Sequence, residues 1–431
     1  MNRPSTALLT DHYELTMLQA ALRGGTAGRR CVFEVFARRL PPGRRYGVVA
    51  GTGRLLDALE AFAFTDDELA ALDAVVDDAT LAVLRDWRFT GSIWGYAEGE
   101  CYVPGSPLLV VEGTFAEAVL LETLALSVLN HDCAVAAAAS RMTAAAGARP
   151  CIEMGSRRTH EQAAVAAARA AYVAGFASTS NLEAGRRYPI PTAGTAAHAF
   201  TLLHDDEEAA FAAQVASLGA GTTLLVDTYD VEVAVRTAVR VAGPGLGAVR
   251  LDSGDLLVQA HQVRRLLDEL GATATRILVT SDLDEHAIAA LAAAPVDGYG
   301  VGTSLVTGSG APTAGLVYKM AAREGADGRL VGVAKNSADK VGVAGRKWAM
   351  RRSGPDGTDV AELVGVGPGR APAPGERELL VELVRAGEVV GREPLDDARE
   401  RHAKARAALP DQATQLSRGE PCLPTVYEEH R

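Results

Sequence analysis

Short apolar runs alternate with longer amphipathic ones along most of this chain, and the alternation changes character near residue 150. Before that point CVFEVF (31–36), YGVVA (46–50), IWGYA (93–97) and PLLVVE (107–112) have the length and β-branched content of strands. The stretches 53–62 and 66–85 between them have helical spacing, which makes the front third a mixed α+β unit. An alanine-rich apolar stretch over 116–146 reads as one long helix, ended by Gly147 and Pro150. After residue 150 each short strand ends in polar or glycine residues and leads into an amphipathic helix. The units TTLLVDTYD (222–230), GAVRLDSGD (247–255), TRILVTSDLD (275–284) and VDGYGVGTS (296–304) recur at the spacing of βα repeats, which calls for parallel strands with crossover helices. RPCIEMGSRR (149–158) and GFASTSN (175–181) are less regular earlier members, so an irregular TIM-like α/β barrel is expected rather than an open sheet. From about 345 the rhythm stops, and a small sheet with a helix near 395–408 is expected to pack back on the front of the chain. The expected domains are therefore 1–140, an N-terminal α+β domain; 141–340, the barrel; and 341–431, the C-terminal extension.

Composition narrows the function classes. The 431 residues carry 54 acidic and 43 basic side chains, a formal charge of -11, which disfavours sequence-independent attraction to nucleic acid or anionic lipid. An anionic ligand then requires a local basic pocket. Five scattered cysteines without a CxxC pair suggest reduced thiols in a cytoplasm rather than a zinc site or a disulfide framework. The first residues lack a signal-peptide pattern, and no run of about 18 apolar residues is apparent, so neither secretion nor membrane insertion is expected.

In barrels the chemistry sits at the carboxyl ends of the strands, and those ends are where this sequence places its Asp, Arg, Ser and Gly. Gly300-Val301-Gly302-Thr303-Ser304 follows a late strand and is suited either to wrapping a phosphate or to a plain tight turn. Arg250 and Asp252 alternate along one strand, as a ring-and-ribose pair or as a structural ion pair. Asp227 and Asp230 in DTYD are candidates for orienting a base or holding hydrated Mg²⁺, with a solvated turn as the other reading of Asp230. Arg157 and Arg158 close an apolar strand, a placement that suits an anion for one and solvent for the other. His198 lies among small residues in PTAGTAAHAF, which leaves its imidazole room to meet a ligand.

Eight ordered blocks carry a family resemblance: LLTDHYELTM (8–17), FEVFARRLPPGRRYGVVAG (33–51), EMGSRR, FASTSNLEAG (176–185), GTAAHAF (194–200), VRLDSGDL (249–256), VTSDLDE (279–285) and YGVGTSLVTG (299–308). Over its whole length the chain resembles the nicotinate phosphoribosyltransferases. The resemblance implies a reaction of nicotinate with phosphoribosyl pyrophosphate to give nicotinate mononucleotide and pyrophosphate, assisted by ATP hydrolysis and Mg²⁺, as the first step of NAD salvage from nicotinate. It also implies a cytoplasmic homodimer whose active sites are shared between subunits. By that resemblance His198 is the histidine that ATP phosphorylates, with Asp227 holding its tautomer. Tyr13 stacks on the pyridine ring from the partner subunit, and the Arg157 region covers the other side. Arg250 and Asp252 contact ring and ribose, Ser281 and Asp282 line the sugar, and Gly302 with Thr303 cradle the 5′-phosphate. Arg38, Lys335, Lys340, Arg346 and Lys347 correspond to polyphosphate contacts, although Ala344 stands where the family's basic loop usually has a proline. No protein ligands for Mg²⁺ are assigned, since the ion rides mainly on the pyrophosphate.

Nicotinamide-using relatives carry an aspartate close to Asn181, and the neutral run Thr179-Ser180-Asn181 favours the acid. A quinolinate-using relative is disfavoured by chain length and by the presence of His198. A catalytically silent nucleotide-binding barrel is the rival of another class, disfavoured by His198, Arg250 and Asp252 occurring together.

Overall fold

The computed structural model describes residues 4–335 and 343–428. They fall into two units, Ala138–Pro312 and a second in which Met1–Ala137 joins Thr313–Arg431.

In the first unit six strands, Cys151–Glu153, Ser178–Thr179, Thr223–Leu225, Ala248–Leu251, Arg276–Val279 and Gly298–Val301, form one all-parallel sheet. From edge to edge the order begins at Ser178–Thr179 and passes through Cys151–Glu153, Gly298–Val301, Arg276–Val279 and Ala248–Leu251 to Thr223–Leu225. The two outer strands do not pair with each other among the described residues, so the sheet is a half-barrel, the irregular TIM-like α/β fold expected from the repeats. Leu224, Val249 and Ile277 are 0% exposed, as strands covered on both faces require, and each such side chain contributes roughly 1.5–3 kcal/mol.

The crossover helices start at aspartates. Asp230 accepts from Val233 N ahead of Val231–Ala242, Asp255 from Val258 N ahead of Leu256–Glu269, and Asp284 from Ala287 N ahead of Glu285–Ala290. Each cap follows two or three residues behind another aspartate, Asp227, Asp252 or Asp282. The pairs DTYD, DSGD and DLD thus divide their labour, with the first carboxylate at the strand end and the second holding the helix. Asp230 is accordingly a cap, and its candidacy as a metal ligand is withdrawn.

In the other unit a seven-stranded antiparallel sheet is built on Arg30–Ala37, flanked by Leu109–Thr114 and Leu316–Glu324. The pairing of Phe33 with Met320 moves the expected barrel boundary from 340 back to 312. The first half of Leu316–Glu324, from Leu316 to Lys319, alternates buried and more exposed positions, the signature of an antiparallel strand with one covered face. Ser92–Tyr96 pairs with Leu380–Arg385, so the last hundred residues belong to the same unit as the first. A four-stranded sheet, with Lys347–Ser353 and Asp359–Val366 at its centre, buries Arg351 between Asp359 and Glu362.

Three expected elements differ. The 66–85 helix is two helices, Asp66–Leu72 and Asp78–Arg85, because Asp77 caps the second by accepting from Thr80 N. Only Gly47–Val48 of 46–50 is strand. The 116–146 helix begins as a short turn and a 3₁₀ segment before Glu122–Ala146. The stretch Phe115–Ala146 is, against expectation, long and apolar enough by composition to cross a bilayer. Of its most apolar window 67% is buried inside the protein, as in a core helix.

Candidate active site

A cleft of about 460 Å³ opens where the half-barrel strands end. Five strand-end loops and the 193–198 segment line it.

His198 opens the helix His198–Leu203, and its Nε2 lies 3.2 Å from Asp227 Oδ1. The Asp227 side chain is 2% exposed, and its Oδ2 accepts from Asp252 N at 2.9 Å and Ser253 Oγ at 2.7 Å. A carboxylate only accepts, so Nε2 carries the proton and the Nδ1 lone pair is the one left available. With both oxygens engaged, Asp227 links His198 to the 252–253 turn.

Arg250 donates from Nη1 to Thr195 Oγ1 and from Nη2 to the Ala196 carbonyl, both at 2.9 Å, while its buried Nε has no partner among the described residues. The guanidinium thereby ties the Ala248–Leu251 strand to the loop that delivers His198. Burial pulls its pKa below the ordinary value, against the opposing pull of Asp252 and Asp227. Arg157 and Arg158 both line the cleft, exposed, and neither forms an ion pair among the described residues. Two guanidiniums without an ion pair among the described residues, at one cleft in a chain of charge -11, give it the chemistry to receive an anion.

Asp252 accepts from Thr280 Oγ1 on the neighbouring strand. Ser281 follows with φ 115°, a left-handed conformation costly for a residue with a Cβ and frequent at binding sites. Ser281 and the exposed Asp282 line the cleft, as do Gly302 and Thr303. A Cβ at Gly300 would lie 2.5 Å from Thr280 Cγ2 and 2.8 Å from Met154 Sδ, so the backbone reaches this position only because residue 300 is glycine.

Several expected contacts are placed elsewhere. Thr179 is fully buried, its hydroxyl donating to Glu153 and accepting from Asn181 N, so it is no ligand contact. Asn181 caps the Leu182–Arg187 helix through Oδ1 and donates from Nδ2 to Ser156 Oγ. The neutral side chain that does line the cleft is Ser180. Tyr13, Arg38, Lys335, Arg346 and Lys347 belong to the other unit. Tyr13, Arg38 and Lys335 are exposed there. Arg346 pairs with Glu112 and lies over the Trp94 ring. Lys347 is withdrawn from the polyphosphate set: its buried ammonium donates to both Glu34 oxygens and to the Val343 carbonyl, which uses all three protons. Lys340 lies outside the described residues. Thr195, Thr280 and Ser253 were not anticipated as site residues, and of the arginine pair only one was expected to meet an anion, whereas both line the cleft. Only the DSGD and TSD motifs and the adjacent arginines hinted at them.

Among the described residues no group of three or more His, Cys, Asp or Glu side chains is arranged to hold a metal. Asp252 and Asp282 are the two carboxylates that line the cleft, a number that fits an ion bound through one or two carboxylates and otherwise through its substrate.

Fold and site together define an α/β-barrel protein that receives an anionic small molecule at its strand ends. Residues 8–130 match the N-terminal domain of the nicotinate phosphoribosyltransferases. The chain is 59% identical to the nicotinate phosphoribosyltransferase pncB1 of Mycobacterium tuberculosis, over 98% of this chain and 96% of that protein. It is 39% identical to the Bacillus subtilis nicotinate phosphoribosyltransferase, over 80% and 73% of the two chains. The crystal structure of human nicotinic acid phosphoribosyltransferase superposes with a TM-score of 0.83 at 26% identity, covering 97% of each chain. The chain belongs to the nicotinate phosphoribosyltransferase family.

Proposed function

We propose that this cleft joins nicotinate to the ribose of phosphoribosyl pyrophosphate, releasing pyrophosphate and giving nicotinate mononucleotide, with ATP hydrolysis assisting. The observation that carries the reading is the full-length 59% identity to a nicotinate phosphoribosyltransferase, in a chain whose strand ends gather His198, Arg250, Asp252 and two unpaired arginines. Arg157 and Arg158 receive the carboxylate and phosphate charges. Asp252, Ser281 and Asp282 meet the ribose, and Gly302 with Thr303 meet the 5′-phosphate. Fixed carboxylates beside the sugar stabilise the positive charge that develops there as pyrophosphate leaves.

His198 Nδ1 attacks the γ-phosphorus of ATP, the bond to ADP breaks, and water later releases the phosphoryl group as phosphate. Asp227 stabilises the tautomer that leaves Nδ1 unprotonated. Asp252 and Asp282 are the cleft carboxylates that would hold a Mg²⁺ ion, which would supply charge neutralisation to the departing pyrophosphate. Selectivity for the acid over the amide rests on Ser180, since a carboxylate at that position would repel nicotinate. The reading extends to a homodimer in which Tyr13 of one subunit completes the other's cleft. It also extends to a cytoplasmic role as the entry of nicotinate into NAD salvage, with which five buried free cysteines accord.

The test is incubation of the purified protein with phosphoribosyl pyrophosphate, Mg²⁺ and either nicotinate or nicotinamide, with and without ATP, following mononucleotide by mass. Product from nicotinate, increased by ATP, is expected. Product from nicotinamide alone overturns the selectivity argument, and no product from either makes the cleft a binding site without turnover.

A further inference from the structure

Glu153 ends the Cys151–Glu153 strand and is 0% exposed. Among the described residues no cation pairs with it, and its carboxylate oxygens are held by hydrogen bonds alone: Oε1 accepts from Gly155 N and Oε2 from Thr179 Oγ1. Its backbone carbonyl accepts from Ser180 N at 2.8 Å. The bonds continue, because Thr179 Oγ1 accepts from Asn181 N at 2.9 Å and Asn181 Nδ2 donates to Ser156 Oγ at 3.0 Å. Ser156 follows Gly155, so the ring closes on itself. It runs from Glu153 through Thr179, Asn181 and Ser156 and back through Gly155.

Two cleft loops leave from this ring. One carries Arg157 and Arg158, and the other carries Ser180. The Ser156–Arg158 turn is a single 3₁₀ segment, and the Ser178–Thr179 strand is two residues long, so neither loop has much regular structure of its own. Space is also restricted, since a Cβ at Gly155 would lie 2.2 Å from Val306 Cγ1 and 3.1 Å from Glu153 Oε1. A buried carboxylate without a counter-ion is costly, and burial pushes its pKa up. An apolar residue would serve simple packing better at this position. What a carboxylate supplies is two acceptors at once, one for each loop, where both donors would otherwise be buried without a partner.

We propose that Glu153 is a positioning residue that locks the Arg157 loop and the Ser180 loop in register, and so sets the affinity of the cleft for the pyridine carboxylate. The proposal rests on the reading of the cleft as a nicotinate site only for its kinetic consequence; the locking itself is independent of that reading. Glu153→Gln keeps the volume but offers one acceptor, so it retains one loop contact and sets an amide donor against the other.

The experiment compares wild type, Glu153→Gln and Thr179→Val in the full-length protein. Hydrogen exchange by mass spectrometry is expected to rise at least tenfold in peptides spanning 154–160 and 178–184 in both variants, with the strands at 248–251 and 276–279 unchanged. Steady-state kinetics are expected to show a nicotinate KM raised about tenfold, with kcat changed less than threefold. Unchanged exchange in both loops overturns the locking role even if activity falls. Faster exchange with an unaltered nicotinate KM overturns the link to affinity. Faster exchange in a protein whose wild type does not turn over nicotinate sustains the locking and refutes the assigned reaction instead.

Discussion

Asp227→Asn is the substitution that most directly tests how His198 is prepared. Asp227 is buried, with three donors around two oxygens: His198 Nε2 at 3.2 Å on one, Asp252 N and Ser253 Oγ on the other. In the asparagine variant the single carbonyl oxygen stays with the two donors of residues 252 and 253, because reversing the amide loses two hydrogen bonds worth about 1 kcal/mol each. The amide nitrogen then faces Nε2 and requires it to accept. The proton moves to Nδ1, which removes the lone pair that attacks ATP. Loss of the charge-assisted bond costs about 1.5–3 kcal/mol, and the equivalent tautomer reversal in a serine-protease triad lowers kcat by about 10⁴. The phosphorylation rate should therefore fall by on the order of 10²–10⁴-fold, or about 3–5 kcal/mol. Synthesis of mononucleotide without ATP should fall less than about tenfold, since Asp252 N keeps its acceptor. The assay is transfer of labelled γ-phosphate to the protein in an acid-labile, base-stable linkage, run beside ATP-independent synthesis. Phosphorylation of Asp227→Asn at the wild-type rate would refute the tautomer argument, and an equal loss of both activities would make Asp227 a structural residue of the cleft.

Other expectations concern single groups. Arg250→Ala should lose on the order of 2–4 kcal/mol of transition-state stabilisation in kcat/KM, by analogy with loss of one preorganised donor, and a near-normal value would mark Arg250 as a loop anchor only. Glu207 Oε1 is buried with no hydrogen-bond partner among the described residues, and its carboxyl is pushed up to about 7 by burial and then by Asp227 and Asp230. Its folded value lies above the unfolded one, so its contribution to stability is full below about pH 4 and is lost as the pH rises through about 7. Discounted for solvent screening of a partly exposed group, the effect is about 1 kcal/mol. Thermal denaturation should show Glu207→Gln equal to wild type at pH 5 and more stable at pH 8, and a parallel shift at both pH values contradicts the assignment. Arg351→Leu leaves Asp359 and Glu362 buried and uncompensated and should destabilise by about 3–5 kcal/mol in urea unfolding, where Arg352→Ala on the exposed side of the same strand should cost under 1.

Most of the barrel was legible because each strand and helix of a βα repeat writes its own pattern. An apolar run of four or five residues and a polar or glycine strand end are local features that residues 222–304 display four times over, three of them with an aspartate at the helix cap. The family motifs likewise marked His198, Arg250, Asp252, Ser281 and Asp282, because chemistry at strand ends requires particular residue types at particular offsets. Reading failed once at a local cap and once at a pairing between residues far apart in sequence. The helix expected over 66–85 breaks at a cap that Asp77 makes with Thr80, a choice that an unbroken helical pattern does not reveal. Lys347 sits in a basic stretch that suggests phosphate, yet Glu34, some three hundred residues earlier, takes its ammonium.

Local pattern and residue chemistry, then, were enough to specify a repeated α/β architecture, its family and which strand ends carry reactive groups. Folding alone settled which of three adjacent candidates faces the cleft. Thr179, Ser180 and Asn181 are equally polar and consecutive, but strand pairing turns Thr179 into the interior, and helix capping draws Asn181 away, which leaves Ser180 at the cleft. The same is true of Leu316–Glu324, which joins the sheet of residues 30–37 because its one apolar face finds a matching surface there. A side chain's type is a property of the chain, whereas its partner is set by the competition among all surfaces that reach it once the chain is compact.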